Sequence, residues 1–165
     1  MYDSELKKYA EDILNSANFQ RTKEHIQHGN MTVNEHCINV ANTSLMIKKK
    51  LHITCNQRDL VRGALLHDYF LYDWHEKSMT HRLHGFFHPI VSLKNAKLYF
   101  NDINLIEENM ISSHMWPLTF RKIPKCREAF LLCMVDKYCS LLETFKLNRN
   151  KIPQMVDLNN ESENK

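Results

Sequence analysis

The chain has 165 residues, enough for one well-buried core and too few for two comfortable domains. Its 22 Lys and Arg stand against 19 Asp and Glu, a net charge of +3 spread along the chain, which makes no strong case for a nucleic-acid or membrane-surface binder. Three glycines and four prolines are few, so the predicted class is all-α, with long helices and short connections.

The opening stretch, MYDSELKKYAEDIL, is amphipathic and charged and lacks the apolar centre of a signal peptide. No run approaches the roughly 18 apolar residues of a membrane span, and a cytoplasmic protein is expected. A first helix is predicted over residues 3–18, followed by the basic connector FQRTKEHIQHGN. A second begins at Thr32, where Thr32 and Glu35 have capping-box spacing, and runs to about Leu51. A third runs from about Asn56, with Asp59 three residues on, to about Phe70. The loop LYDWHEKSMTHRLHGFFH then carries four of the ten histidines, a density that favours a functional loop.

Pro89 is placed as the first residue of a fourth helix, 89–100, with His88 at its N-cap. A fifth is predicted over 102–114, Pro117 and Pro124 bracket an irregular link, and the last long helix covers 125–146. The domain is therefore expected over residues 1–147, as about six helices, with a polar, frayed tail over 148–165. Cys37, Cys55, Cys126, Cys133 and Cys139 are odd in number and include no CxxC pair, so free thiols are expected.

Several buried stripes turn polar partway along. On the third helix Leu60 and Ala64 lead by helical steps to His67, and Val61 and Leu65 lead to Asp68. On the second, His36 sits three residues after Val33 and four before Val40. On the fifth, Ile103, Ile106 and Met110 lead to His114, and on the last Ala129, Leu132 and Cys133 lead to Asp136. A lone His or Asp on an apolar face is most often a hydrogen-bonded core residue. Four helices that each send one inward can satisfy them together around a divalent cation, because burying an imidazole or carboxylate without a partner costs several kcal/mol.

The ordered set of His36, then His67-Asp68 in GALLHD, then Asp136 in LLCMVDKYCS resembles the HD superfamily of metal-dependent phosphohydrolases over roughly residues 28–143. The resemblance implies a single-domain HD-type helical bundle in which His36, His67, Asp68 and Asp136 hold a first metal. His88 in HP and His114 in SSHMWP resemble the extra histidines of the dinuclear branch that includes the HD-GYP phosphodiesterases. They imply a second ion, with Asp68 bridging the two and expected as the catalytic residue. Met115 stands where that branch has a second paired His, Leu71 where HD-GYP proteins have Lys, and no GYP motif comes after HMWPLT. These departures argue against cyclic di-GMP as substrate, and the chain is more similar to small stand-alone HD proteins.

The resemblance implies one or two divalent ions as cofactor, with Mn, Fe, Co, Ni and Zn all suited to a set of four His and two Asp. The expected activity is hydrolysis of a phosphoester, with a nucleotide as the expected small-molecule partner, by a metal-activated water. His28, Arg82, His84 and Lys137 are the candidate phosphate-binding residues, because the anion needs donors at the mouth of the site. The alternatives are a non-catalytic regulatory module that binds metal or nucleotide, and a structural helical domain whose histidines are incidental.

Overall fold

The structure, a computed structural model, describes residues 4–28, 30–73 and 83–145. The chain folds as α1 (Ser4–Asn15), α2 (Ala17–Arg21), a 3₁₀ turn (Thr22–Glu24), β1 (Ile26–His28), β2 (Met31–Thr32), α3 (Val33–Lys50), α4 (Gln57–Leu66), α5 (His84–Tyr99), α6 (Leu105–Ser113) and α7 (Arg127–Thr144). The all-α expectation holds, with one small antiparallel hairpin in which β1, from the predicted connector, pairs with β2 just beyond it. The tail predicted over 148–165 lies outside the described residues, as does the segment 74–82 with Arg82. No helix among the described residues is long and apolar enough to cross a membrane, and all five cysteines are free.

Local chemistry sets most of the helix starts. Thr32 Oγ1 accepts from the Glu35 amide at 3.2 Å and Glu35 returns the bond to the Thr32 amide at 3.1 Å, the reciprocal cap expected from the spacing of these two residues. The Asn56 side chain caps α4 through the Asp59 amide, and Asn104 with Glu107 forms a second capping box on α6. Three boundaries differ from expectation. The first helix breaks at Ser16, whose side chain caps the short α2. The helix carrying His67 and Asp68 stops at Leu66, so these two residues sit in the turn that leaves it. The third difference is α5, which starts at His84 rather than at Pro89. His88 is therefore a residue of its second turn and not its N-cap, and Pro89 lies inside the helix, where it removes one i→i−4 hydrogen bond.

α4 is the hub of the bundle and packs on α1, α3, α5, α6 and α7. Every residue from Asp59 to Phe70 is buried, so beyond its first two residues this helix has no solvent face and its polar residues must be matched inside the protein. One of them, Arg62, is 2 % exposed and gathers carboxylates from three directions. It donates to Glu107 at 3.0 Å, to both oxygens of Asp12 at 2.8 Å and to Asp102 at 2.7 Å. This joins α1, α4 and the start of α6.

Gly63 lets α4 pack tightly against Met110 of α6: a Cβ there would stand 2.6 Å from Met110 Sδ and 3.1 Å from Met110 Cβ. Gly63→Val is expected to destabilise the fold by about 1–3 kcal/mol through overpacking, despite the better helix propensity. The urea midpoint of the variant checks this, and an unchanged midpoint would mean that α6 shifts freely.

Candidate metal centre

Five helices converge on one buried cluster. His36 comes from the first turn of α3, His67 and Asp68 from the turn after α4, His88 from α5, His114 from the turn after α6, and Asp136 from the middle of α7. His36 Nε2 lies 3.2 Å from Asp136 Oδ1 and 3.7 Å from Asp68 Oδ2. His67 Nε2 lies 3.4 Å from Asp68 Oδ2 and 3.6 Å from Asp136 Oδ1. On the other carboxylate oxygen, Asp68 Oδ1 is 3.1 Å from His88 Nε2 and 3.5 Å from His114 Nε2. The six residues predicted as ligands thus come together around two groups that could each hold a metal ion, His36–His67–Asp68 and Asp68–His88–His114, with Asp68 common to both.

Helix ends explain why the imidazoles aim inward. α4 and α6 each stop one residue before a histidine, and the last carbonyls of a helix have no intrahelical donor. His67 Nδ1 takes the Ala64 carbonyl at 2.7 Å and His114 Nδ1 takes the Ile111 carbonyl at 2.8 Å, while His88 Nδ1 bonds the His84 carbonyl at 2.9 Å. A donor role for Nδ1 leaves Nε2 as a lone pair, the form a metal needs. The negative ends of two helix dipoles also point at the cluster and favour a cation there.

The cluster itself fits divalent ions. His67 Nε2 and Asp68 Oδ1 are buried without a hydrogen-bond partner. Nε2 of His88 faces Nε2 of His114 at 2.7 Å, and with both Nδ1 atoms donating, two lone pairs are opposed unless a positive charge sits with them. The carboxylates draw positive charge into the cluster, and without a metal that charge falls on two of the histidines. Burial pulls His36 down, but the Asp136 and Glu143 carboxylates outweigh it and hold its pKa at about 10. Against burial, Asp68 holds His67 well above the ordinary histidine range. Burial also works against ionised Asp68 and Asp136, yet His67 and His88 keep the first, and His36 and His67 the second, well below the usual carboxylate range. His114 goes the other way, lowered by burial more than Asp68 raises it.

Two residues that no stripe singled out complete the cluster. Gln27, on β1, donates its side-chain amide to Asp68 Oδ2. Glu143 Oε2 accepts from His36 Nδ1 at 2.7 Å, and Asn39 in turn donates to Glu143 Oε1 at 2.9 Å. Glu143 lies seven residues after Asp136, two helical turns, and that spacing was a usable signal. Gln27 lies in a short strand with no periodic signal at all. Of the candidate phosphate-binding residues, Arg82 and the His28 side chain lie outside the described residues. His84 stacks on His88 with ring centroids 4.5 Å apart and bonds Tyr72 through Nδ1 at 2.9 Å. Leu71 takes a left-handed φ of 57° just before Tyr72. Lys137 donates to the His114 carbonyl at 2.8 Å and to the Cys133 carbonyl and thiol at 3.2 Å, which ties α7 to the turn that carries His114.

Above the cluster opens a pocket of about 890 Å³ that Asp68, His88, His114 and Asp136 line, together with His84 and Lys137. A sequence profile described as the HD domain matches residues 33–141. The chain belongs to the HD domain family. No curated protein and no solved structure matches the chain. The match spans the elements from α3 to α7 that supply all six converging residues, and HD domains bind divalent metals. Within this HD domain, Glu143 holds His36 from behind. Glu143→Ala is expected to weaken metal binding at the His36 position about 10–100-fold, as loss of such an outer carboxylate does, with the His88–His114 position spared. Competition against a chelator reads both positions.

Proposed function

We propose that this HD domain is a metal-dependent phosphohydrolase that cleaves a phosphoester, with a nucleotide as substrate. The observation that carries the reading is the pair of buried His/Asp groups sharing Asp68 on the floor of an open pocket, because it offers two adjacent cation positions to one bound anion. His36, His67, Asp68 and Asp136 would hold one ion, and Asp68, His88 and His114 the other. Divalent ions held there supply positive charge to the phosphoryl oxygens and bring the pKa of water close to neutrality.

The protein side chains set the geometry. Asp68 presents one oxygen to each group, and the Gln27 amide on Oδ2 fixes the plane of the carboxylate. Ser140 donates to Asp136 Oδ1 at 3.3 Å and steadies the α7 side. His84, stacked beside His88, is proposed to bind the phosphate together with His28, Arg82 and Lys137. In the reaction the oxygen of water bonds to phosphorus, the ester P–O bond breaks, and the alcohol leaves with a proton; a monoester then yields inorganic phosphate and a diester yields a phosphomonoester.

Element analysis of the purified protein, run beside a screen of nucleotides and simple phosphoesters with Mn²⁺ or Co²⁺, tests the reading. Close to two ions per chain with turnover of a phosphoester is the expected result. Bound metal without turnover of any phosphoester would point to the regulatory module, and a metal-free protein indifferent to chelator would sink both.

A further inference from the structure

The outer face of a surface helix is ordinarily polar, and α7 departs from this. Phe130, Met134 and Tyr138 follow one another at four-residue steps and are 54 %, 51 % and 50 % exposed, so one face of the helix is an apolar stripe. With Ile47 and Leu51 at the end of α3 and Pro124 in the link before α7, they line a groove of about 790 Å³. A contiguous apolar surface of this kind marks a binding face. The groove is separate from the metal centre, because it shares no lining residue with the pocket over Asp68.

One end of the groove is basic. Lys125 and Arg127 line it, and Lys48, Lys49 and Lys50 form the last turn of α3 beside Leu51. Glu128, the acidic residue in the first turn of α7, is buried and takes the Asn56 amide at 2.7 Å. The sequence after α7 has matching parts in matching order: KLNRNK over 146–151, then IPQMVDL over 152–158, then Glu161 and Glu163. From Phe145 back to Tyr138 is about 10 Å of helix and back to Phe130 about 22 Å, while the linker 146–151 spans up to about 20 Å when extended. The linker is therefore long enough to turn the chain back and set Ile152 beside Tyr138, with the acidic residues carried on toward the basic end.

We propose that residues 152–158 of the same chain dock in this groove, with Ile152, Val156 and Leu158 on the apolar stripe and Asp157, Glu161 and Glu163 meeting the lysines and Arg127 at its basic end. Laid extended, the segment presents Ile152, Val156 and Leu158 on one side, since alternate residues of an extended chain share a face. Opposite charge at one end fixes the direction in which the segment lies. The chain's own segment is favoured over a second copy because a short tether gives it an effective concentration on the order of millimolar, so modest apolar contact is enough to hold it.

Cys126 lines the groove as a free thiol and reports whether the groove is covered. The rate of its alkylation by N-ethylmaleimide, read by peptide mass spectrometry, is compared in the full chain, in a chain ending at Lys151 and in the full chain carrying Ile152→Asp with Val156→Asp. Cys37, buried in the core, should stay unreactive in all three and so shows that the fold is intact. Cys126 is expected to react at least roughly fivefold faster in the truncated chain and in the double variant than in the full chain, because protection follows the fraction of time the segment is docked. Asp157→Lys with Glu161→Lys should give an intermediate rate. Should the truncated chain unfold, the double variant carries the comparison by itself. Equal rates at Cys126 with and without the intact segment overturn the proposal. Protection that grows with protein concentration, alongside a dimer in light scattering, overturns it too, because the occupant is then a second copy.

Discussion

If the protein is the two-ion phosphohydrolase proposed above, Asp68→Ala is expected to strip it of both metal ions and to lower phosphoester turnover on the order of 10³-fold, the several kcal/mol that charge stabilisation by divalent ions contributes. The reason is geometric. Asp68 Oδ2 lies 3.4 Å from His67 Nε2 and Asp68 Oδ1 lies 3.1 Å from His88 Nε2, so one carboxylate serves both groups. Asp136 lies near His36 and His67, and Asp136→Ala should cost one ion and leave the His88–His114 position filled. Element analysis of the two variants separates the roles. An Asp68→Ala protein that keeps two ions per chain would remove the shared-carboxylate assignment, and equal metal loss in both variants would show that the positions fill cooperatively.

The second large effect is on stability. Arg62→Met is expected to destabilise the fold by about 3–5 kcal/mol, because it leaves Glu107, which is fully buried, without its main countercharge. Against the roughly 5–15 kcal/mol of a typical domain this is severe. Asp12 and Asp102 are half exposed and can be hydrated when Arg62 is gone, so Glu107 carries most of the penalty. Adding Glu107→Gln to Arg62→Met should therefore recover a large part of the loss, since Gln removes the buried charge and can still cap Asn104. Urea midpoints of the single and double variants decide it. A double variant no more stable than Arg62→Met would place the effect in lost packing of the Arg62 stem.

The helix caps were legible because they are local chemistry. Thr32 with Glu35 and Asn56 with Asp59 are separated by three residues, and the bonds they form need nothing from the rest of the fold. The buried polar residues were legible for a related reason: the 3.6-residue period tells which face of a helix goes inside, so an imidazole or carboxylate on that face stands out as a group that must be satisfied. His36, His67, Asp68, His114 and Asp136 were all found this way, and His88 came from resemblance to the dinuclear branch.

What the sequence could not supply was the meeting. His36 and Asp136 are 100 residues apart and come to 3.2 Å because α3 and α7 both pack on the largely buried α4 and on each other, and periodicity within a helix carries no information about its partner. Gln27 reached Asp68 from a short strand of a connector that had looked like a basic link, and only the packing of the hairpin against α3 and α7 put it there. The ends of α4 and α5 were also decided by tertiary contacts. The Ala64 carbonyl found its donor in His67 Nδ1, so the helix could stop at Leu66, and His84 was held by Tyr72 and the His88 ring, so α5 could begin five residues before Pro89. Local propensity fixed which residues had to be buried, and packing fixed what each of them met, because the energy of a buried polar group lies in its partner.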